Sequence, residues 1–290
     1  MAVIAHDVDE WIENNKRDFA PPVCNKCMFQ EQLKVFFIGG PNQRKDYHNE
    51  EGEELFFQIK GDMCLKVVEK HTFKDVIIRQ GEIFLLPSRV PHSPQRYADT
   101  VGVVVERTRA NNEHDALRYY VDGQAERALF ERWFHLDDVV KDLPPVIGEF
   151  MASEERRTGI PKWDSVQKTE HAFQPDATAA LMSPVSLVQL VDRHRLSAER
   201  HGSTSLFGPP AFQTLVRLYA AGRHSLRAER NAEILVWIES GSSVLHLPSE
   251  PRRIELRGRS FARVNASATG IDLVVRDGVA ITVLMKTPIN

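Results

Sequence analysis

Two histidines and one glutamate, His48, Glu54 and His92, are the residues of this chain whose types and spacing point most directly to chemistry. Two neutral imidazoles and one carboxylate form the ligand set of a non-haem Fe(II) site, which leaves coordination positions open. Such a site can hold an organic substrate and O2 together. Because a single histidine in a strand is usually an ordinary polar residue, the prediction rests on the joint spacing of all three.

Two arginines lie at strand spacings from these residues. If residues 43–48 are extended, Arg44 and His48 point to the same face, because alternate residues of a strand do so. Arg96 follows His92 by four residues and can share its face in the same way. A barrel that folds these segments together would gather both arginines around the metal ligands. A planar, permanently charged guanidinium suits a carboxylate group.

The elements that must position these side chains are mostly strands. From about residue 30, short β-rich runs follow one another, separated by glycine, proline and asparagine. Closely spaced strands without intervening helices indicate an antiparallel sandwich or barrel. We predict strands at residues 34–38, 55–59, 63–68, 74–79, 83–86 and 101–107.

A few helices are also predicted. Residues 7–17 form the first, with Asp7 as its N-cap. Residues 113–150 are predicted to be helical and residues 184–200 to form a further helix, whereas residues 150–180 form a linker broken by prolines. Strands return from about residue 205. The helical prediction for 113–150 depends on an apolar stripe made of Leu129, Phe130, Trp133, Phe134 and Leu136.

The second half of the chain contains a weak echo of the first. Residues 233–241 resemble residues 54–61, and the two metal histidines would fall on Arg227 and Thr269. Neither is a ready metal ligand, because arginine stays protonated and a threonine hydroxyl is a poor donor. Chance similarity between two β segments is the alternative to a duplication. The expected division is a catalytic domain at 1–155, a linker at 156–180 and a degenerate, metal-free domain at 181–290.

Composition and charge exclude several classes of protein. The net charge of −3 offers no basic field for nucleic acid or anionic lipid, and the short apolar runs predict no membrane span or signal peptide. The chain has three cysteines, Cys24, Cys27 and Cys64, and such a small, odd number argues against a disulfide framework. This favours a reducing compartment, and we expect the cytosol. The acidic pair Glu50 and Glu51 is expected to be solvated.

The spacing around the metal ligands resembles the two sequence motifs of the cupin superfamily. In the first motif Asp46 replaces the usual first histidine, and in the second Arg89 stands where glycine is usual. The ligand set therefore falls to three, which leaves three positions for substrate and O2. The first block consists of Gly40, Asp46, His48, Glu54 and Gly61, and the second of Gly81, Pro87 and His92.

Six stretches narrow the resemblance further: PPVCNK, EQLKVFFIGGPNQRKDYH, RQGEIFLLPSRVPHSPQRYADTVGVVVERTR, LRYYVDG, SLFGPP and VWIESGSSV. They are similar to the 3-hydroxyanthranilate 3,4-dioxygenase family, densely over roughly residues 20–155 and more loosely beyond, as in the two-cupin form of animals. This resemblance implies a mainly β bicupin fold, two antiparallel jelly-roll barrels with a few connecting helices. It also implies Fe(II)-dependent opening of the 3-hydroxyanthranilate ring by O2, on the way to quinolinate and NAD.

The resemblance also implies roles for individual residues. Arg44 and Arg96 would hold the substrate carboxylate, and Glu54 would contact the substrate as well as the metal. Glu106 would face the hydroxyl or amine side of the ring and could accept a proton. Asn25, with Arg44, would lie near the O2 position. One iron per chain is expected, bound within residues 30–110.

Two other classes of function remain open at this point. A metal-dependent cupin isomerase or epimerase would more naturally keep both histidines of the first motif and would not need two arginines beside the metal. A non-catalytic cupin that binds a small acid would suit the second half better than the first. We expect a monomer, since the second cupin could fill the place of a partner subunit.

Overall fold

The computed structural model describes residues 2–21, 24–227, 229, 231–247 and 253–288, and the protein is mainly β. Its residues group into two compact units. The first unit comprises residues 18–25 and 37–184, and the second comprises residues 1–17, 26–36 and 185–289. The predicted fold class, a two-barrel antiparallel protein with few helices, is confirmed. In the described residues no helix combines the length and the apolar character needed to cross a membrane.

Strands greatly outnumber helices along the described chain. The strands are β1 Val3–Asp7, β2 Asn25–Gln30, β3 Leu33–Ile38, β4 Tyr47–Asn49, β5 Glu54–Lys60, β6 Met63–Glu69, β7 Thr72–Ile78, β8 Glu82–Leu86, β9 His92–Arg96, β10 Val101–Arg107, β11 Asp115–Val121, β12 Gln124–Phe134, β13 Val166–Gln167, β14 Val185–Ser186, β15 Ser203–Phe207, β16 Leu215–Tyr219, β17 Gly222–Leu226, β18 Ile234–His246, β19 Ile254–Arg257, β20 Ser260–Val264 and β21 Ile271–Leu284. The helices are α1 Val8–Asn15, α2 Val139–Ala152, α3 Glu154–Thr158 and α4 Leu187–His201, with a 3-10 turn at Lys16–Phe19.

Two antiparallel layers build the first unit. One contains β8, β5 and β10 side by side, and the other runs in the order β12, β11, β4, β9, β6 and β7. All six strands predicted between residues 34 and 107 occur, most with ends that differ by one or two residues. These strands carry alternating side chains into the interior, as the spacing of the metal residues requires.

The prediction of helix over residues 113–150 is wrong for its first half. Residues 115–134 form the hairpin of β11 and β12, and only α2 is helical. Phe130 packs against Phe150 while Trp133 packs against Phe173, so β12 has apolar contacts on both faces. A strand of that kind does not alternate cleanly, and its apolar positions can match a helical period. The Asp-Gly pair at 122–123, where Gly123 has a φ of +71°, was the overlooked hairpin signal.

The segment expected to be a linker, residues 156–180, falls within the first unit. Its short strand β13 pairs with β12, and the Phe173 ring meets that of Trp133 edge-on at a centroid distance of 4.8 Å. The backbone N–H of Asp176 donates to the carbonyl of Arg89 at 2.8 Å. These contacts hold the segment against β12 and the first unit.

The second unit is organised around one sheet. Its strands run in the order β1, β20, β18, β21, β16 and β15, with β17 and β19 attached to β21 and β18. The predicted N-terminal helix is confirmed, and the Asp7 side chain caps it by accepting the Glu10 N–H at 2.8 Å. The helix predicted over 184–200 is confirmed as α4.

Phe150 on α2 closes the apolar core of the first unit, and it provides a test of that packing. Its ring stacks on that of Tyr119 with centroids 3.5 Å apart. Phe150→Ala should lower the free energy of unfolding of this unit by about 3 kcal/mol, because a buried aromatic ring leaves a cavity. Met151→Ala, at a neighbouring position that is exposed, should change it little. Urea unfolding followed by tryptophan fluorescence measures both; equal losses would contradict the packing described.

Candidate metal centre

Four buried side chains converge inside the first unit: His48, Glu50, Glu54 and His92. Each offers one nitrogen or oxygen atom, and these atoms all lie within 4.8 Å of one another. The three predicted ligands are therefore brought together. Glu50 is an addition, and the expectation that it is solvated is wrong, because its side chain is 4% exposed.

Strand register creates this convergence. In the antiparallel pair of β4 and β9, His48 stands directly opposite His92, and their ring centroids are 5.4 Å apart. Glu54 opens β5 in the other layer, and its Oε1 atom lies 3.1 Å from Nε2 of His92. Residues on facing strands at matched register are held within side-chain reach. The donors are thus placed by backbone pairing.

Each imidazole is oriented by a partner outside the cluster. Nε2 of His48 lies 2.7 Å from Oδ2 of Asp115, and Nδ1 of His92 lies 3.0 Å from the carbonyl oxygen of Val90. A carbonyl only accepts hydrogen bonds, so Nδ1 of His92 carries the proton and Nε2 faces Glu54. Partners of this kind, which fix the tautomer and the angle of a ring, are typical of metal-binding histidines.

The electrostatics of the cluster favour a bound cation. Burial raises the pKa of Glu50 well above its usual range, although Arg109 opposes the shift. Burial acts on Glu54 too, but the charge of His92 outweighs that effect and holds the pKa of Glu54 below its usual value. Two carboxyls buried this close together repel each other when both are ionised. A divalent metal ion would relieve that repulsion, and two imidazoles with a carboxylate suit such an ion.

Arg96 is a fully buried guanidinium beside this cluster. Burial lowers its pKa to about 10, Glu54 opposes the shift and Arg44 adds to it, so the group stays charged at neutral pH. Its Nη2 atom has no hydrogen-bond partner among the described residues. Gly102 lets it pack against β10, because a Cβ there would lie 2.8 Å from Arg96 Nη1 and 2.0 Å from Gln58 Oε1. A buried donor without a partner is the sign of a missing acceptor.

The other predicted site residues are placed as follows. Arg44 is buried, which lowers its pKa, but the charge and hydrogen bond of its partner Asp46 outweigh burial and raise that pKa. Glu106 is buried on β10, and its Oε1 atom lies 2.9 Å from Nη1 of Arg109. In the described part of the chain no hydrogen bond joins Asn25 to the metal donors, so its assignment to O2 stays a prediction.

Three residues of the site were missed from sequence. Glu50 follows His48 by two and shares its strand face, which was the available signal. Asp115 was hidden by the wrong helical prediction for its segment. Arg109 is the last residue of Arg107-Thr108-Arg109, a polar stretch that directly follows the apolar part of the predicted strand 101–107. Only the folded chain shows that Arg109 contacts both Glu50 and Asp115.

Removing a donor should release the metal. His48→Ala and His92→Ala should each weaken the binding of Co(II) by more than about 100-fold. Loss of a residue that only orients a metal ligand costs up to about 100-fold, and here a direct bond to the metal would be lost. Glu54→Ala should behave likewise. His224→Ala, in the second unit, serves as the control and should bind as the unchanged protein does. Titration of the metal-free proteins, followed by visible absorbance, measures this; unchanged affinity would remove that residue from the ligand set.

The comparisons agree with this geometry. The family model for 3-hydroxyanthranilic acid dioxygenase matches residues 1–151. The chain is 43% identical to 3-hydroxyanthranilate 3,4-dioxygenase of Caenorhabditis elegans, with 98% of each chain covered. It is 49% identical to the Homo sapiens enzyme of that name, with 88% of this chain and 90% of the relative covered.

Among solved structures, a salicylate 1,2-dioxygenase from Pseudaminobacter salicylatoxidans superposes with a TM-score of 0.58. That match covers 97% of this chain and 83% of the other at 10% identity, so it supports the fold alone. The family model and the curated relatives decide the class, because they cover the metal centre and most of the chain. The chain belongs to the 3-hydroxyanthranilic acid dioxygenase family and is a dioxygenase of that family.

Proposed function

We propose that this protein opens the ring of 3-hydroxyanthranilate with O2 to give 2-amino-3-carboxymuconate semialdehyde, using one Fe(II) per chain. The relatives that carry this activity in their names cover nearly the whole chain. The observation that carries the proposal is the buried donor cluster beside Arg96, whose Nη2 atom is unpaired among the described residues. A metal next to a free guanidinium suits an aromatic substrate with a chelating edge and a carboxylate.

The proposed metal ligands are His48, Glu54 and His92. Fe(II) held there would supply Lewis acidity and electron transfer between the aromatic ring and O2. Glu50 belongs to the same cluster, but its Oε2 atom lies 2.8 Å from Nη2 of Arg109. We assign Glu50 to that ion pair and not to the metal. Three protein ligands then leave room for two substrate atoms and O2.

The substrate carboxylate is assigned to Arg96 and Arg44. Arg96 supplies the unpaired donor, and it is fixed by burial and by Gln58, whose Oε1 atom lies 3.5 Å from Arg96 Nη1. Arg44 is partly neutralised by Asp46, so Arg96 should contribute more to affinity. Both arginines lie at β9, the strand that carries His92: Arg96 is its last residue, and the backbone carbonyl of Arg44 accepts from the Gln95 side chain at 2.9 Å.

Glu106 is assigned to the hydroxyl and amine side of the substrate. Its carboxylate is buried and lies near Glu50, whose pKa its charge helps to raise. Its Oε1 atom lies 2.9 Å from Nη1 of Arg109 in an ion pair that lacks the alignment of a hydrogen bond, so the oxygen keeps capacity to accept one. An acceptor of that kind can take the proton that the phenol loses on binding.

The second unit is proposed to be a degenerate cupin that adds stability. Its Glu233, the counterpart of Glu54, accepts the Leu33 N–H at 3.0 Å and lies 3.7 Å from Arg263, so the carboxylate serves the backbone. Arg227 and Thr269 are exposed. A second unit on the same chain is consistent with a monomer, and three free cysteines are consistent with the cytosol.

The proposal is tested by turnover. The metal-free protein is loaded with Fe(II) without oxygen and then mixed with aerated 3-hydroxyanthranilate. Loss of substrate absorbance with appearance of the semialdehyde is expected, and the His48→Ala protein treated identically should show neither. Tight binding of Fe(II) without consumption of O2 would reject the dioxygenase function and leave an isomerase or a binding protein.

The carboxylate assignment predicts a split between two substrates. Arg96→Ala and Arg44→Ala should keep bound metal and weaken 3-hydroxyanthranilate binding by about ten- to a hundred-fold, because a charge-assisted contact of roughly 1.5–3 kcal/mol is lost. The control substrate is 2-aminophenol, which lacks the carboxylate. Steady-state kinetics with both compounds measures the effect. If both substrates suffer equally, the arginines do not hold the carboxylate.

The metal-free second unit predicts one iron per chain. Glu233→Ala should lower the unfolding temperature, because the Leu33 N–H loses its acceptor, while bound iron and turnover stay as in the unchanged protein. Elemental analysis after removal of weakly bound metal, together with thermal unfolding, checks both statements. Two tightly bound irons, or loss of turnover in a well-folded Glu233→Ala protein, would show that this unit takes part in the chemistry.

A further inference from the structure

Arg109 is a buried arginine to which neither the sequence pattern nor the proposed reaction assigns a role. Its side chain is 3% exposed and meets three carboxylates at once. Nη2 lies 2.8 Å from Glu50 Oε2 and 2.8 Å from Asp115 Oδ2, while Nη1 lies 2.9 Å from Glu106 Oε1. The planar fork of arginine can serve several acceptors in fixed directions, which the point charge of lysine cannot.

Each of the three carboxylates leads to a different part of the site. Asp115 holds Nε2 of His48 at 2.7 Å and so sets the angle of a proposed metal ligand. Glu50 is one of the four donors of the metal cluster. Glu106 is the proposed acceptor for the substrate proton. One guanidinium therefore contacts Glu50 and Glu106 directly and is linked to the proposed metal ligand His48 through Asp115.

The charges show why this cation is needed. Three carboxylates buried together would repel one another, and a buried charge without a partner is strongly destabilising. Arg109 contacts Asp115 through Nε, 3.2 Å from Oδ1, and through Nη2, 2.8 Å from Oδ2, so the carboxylate is held while its Oδ2 atom faces Nε2 of His48. Without the arginine this carboxylate would lose the partner that keeps it in place.

We propose that Arg109 is a positioning residue of this enzyme: through Asp115 it orients His48 toward the metal, it keeps the carboxylate of Glu50, the fourth donor of the cluster, from the metal, and it aims Glu106 at the substrate. The inference builds on the proposed function. Its metal-binding part stands on the geometry of the cluster alone.

A neighbouring ion pair provides a matched control. Arg107 lies two residues before Arg109, is equally buried and forms a two-pronged pair with Glu113, with both N–O distances 2.6 Å. That pair contacts none of the four metal donors by any hydrogen bond or ion pair of the described residues. A general effect of disturbing a buried arginine in this segment would appear at both positions, whereas positioning would appear only at Arg109.

The test compares Arg109→Lys, Asp115→Asn and Arg107→Lys, first as metal-free proteins titrated with Co(II). Arg109→Lys and Asp115→Asn should weaken Co(II) binding by about 10- to 100-fold and alter its visible spectrum, the range for residues that orient a metal ligand. Arg107→Lys should bind as the unchanged protein does. At saturating Fe(II), Arg109→Lys should lower kcat and leave the KM for 3-hydroxyanthranilate close to its original value, because Arg44 and Arg96 are untouched.

Several outcomes would overturn the inference. Unchanged Co(II) affinity and spectrum in Arg109→Lys would do so, as would an equal loss in Arg107→Lys. If circular dichroism shows that Arg109→Lys is unfolded, the Asp115→Asn protein provides the test. Normal metal binding in that variant would reject the claim that Arg109 orients His48 through Asp115. If the unchanged protein binds Co(II) but never consumes 3-hydroxyanthranilate, the proposed function fails while the Co(II) comparison still decides the role of Arg109.

Discussion

The pairing of β4 with β9 is the constraint on which the candidate site depends. Because His48 and His92 face each other across an antiparallel ladder, their distance is set by backbone hydrogen bonds. A shift of one residue in either strand would turn one imidazole away from the interior. The layer of β8, β5 and β10 then needs to deliver only one further donor, Glu54, from the first position of β5.

Burying so many charges in one barrel is costly, and the structure offsets the cost with paired opposites. Buried carboxylates and guanidiniums form ion pairs with one another, as Arg44 does with Asp46 and Arg109 with Asp115. Several buried polar atoms of the described residues nevertheless lack a hydrogen bond. Those in the segments that carry the site are Nη2 of Arg96, Oε1 of Glu106, Oε1 of Glu50 and the side-chain amide of Asn49. Unsatisfied polar atoms in a native interior call for a partner, and in this interior substrate and metal are the natural candidates.

A glutamate at the beginning of a strand has different partners in the two units: Glu54 is the first residue of β5, and Glu233 directly precedes β18. In the first unit Glu54 faces His92, whereas in the second Glu233 accepts a backbone N–H near Arg263. A buried carboxylate is tolerated wherever donors or a cation surround it. Glu54 and Glu233 are therefore both buried with compensating partners, a histidine in the first unit and a backbone N–H with an arginine in the second.

The six strands between residues 34 and 107, and the grouping of His48, Glu54 and His92, could be predicted from the sequence, because they depend on local periodicity and on short, regular spacings. The strand predicted at 101–107 matches β10 in both ends. The tertiary structure alone decided the hairpin of residues 115–134, since β12 is apolar on both faces and its period is ambiguous. It also decided the roles of Glu50, Arg109 and Asp115. Asp115 lies 67 residues from His48 along the chain, and contacts at such separation are formed by packing, which no local pattern encodes.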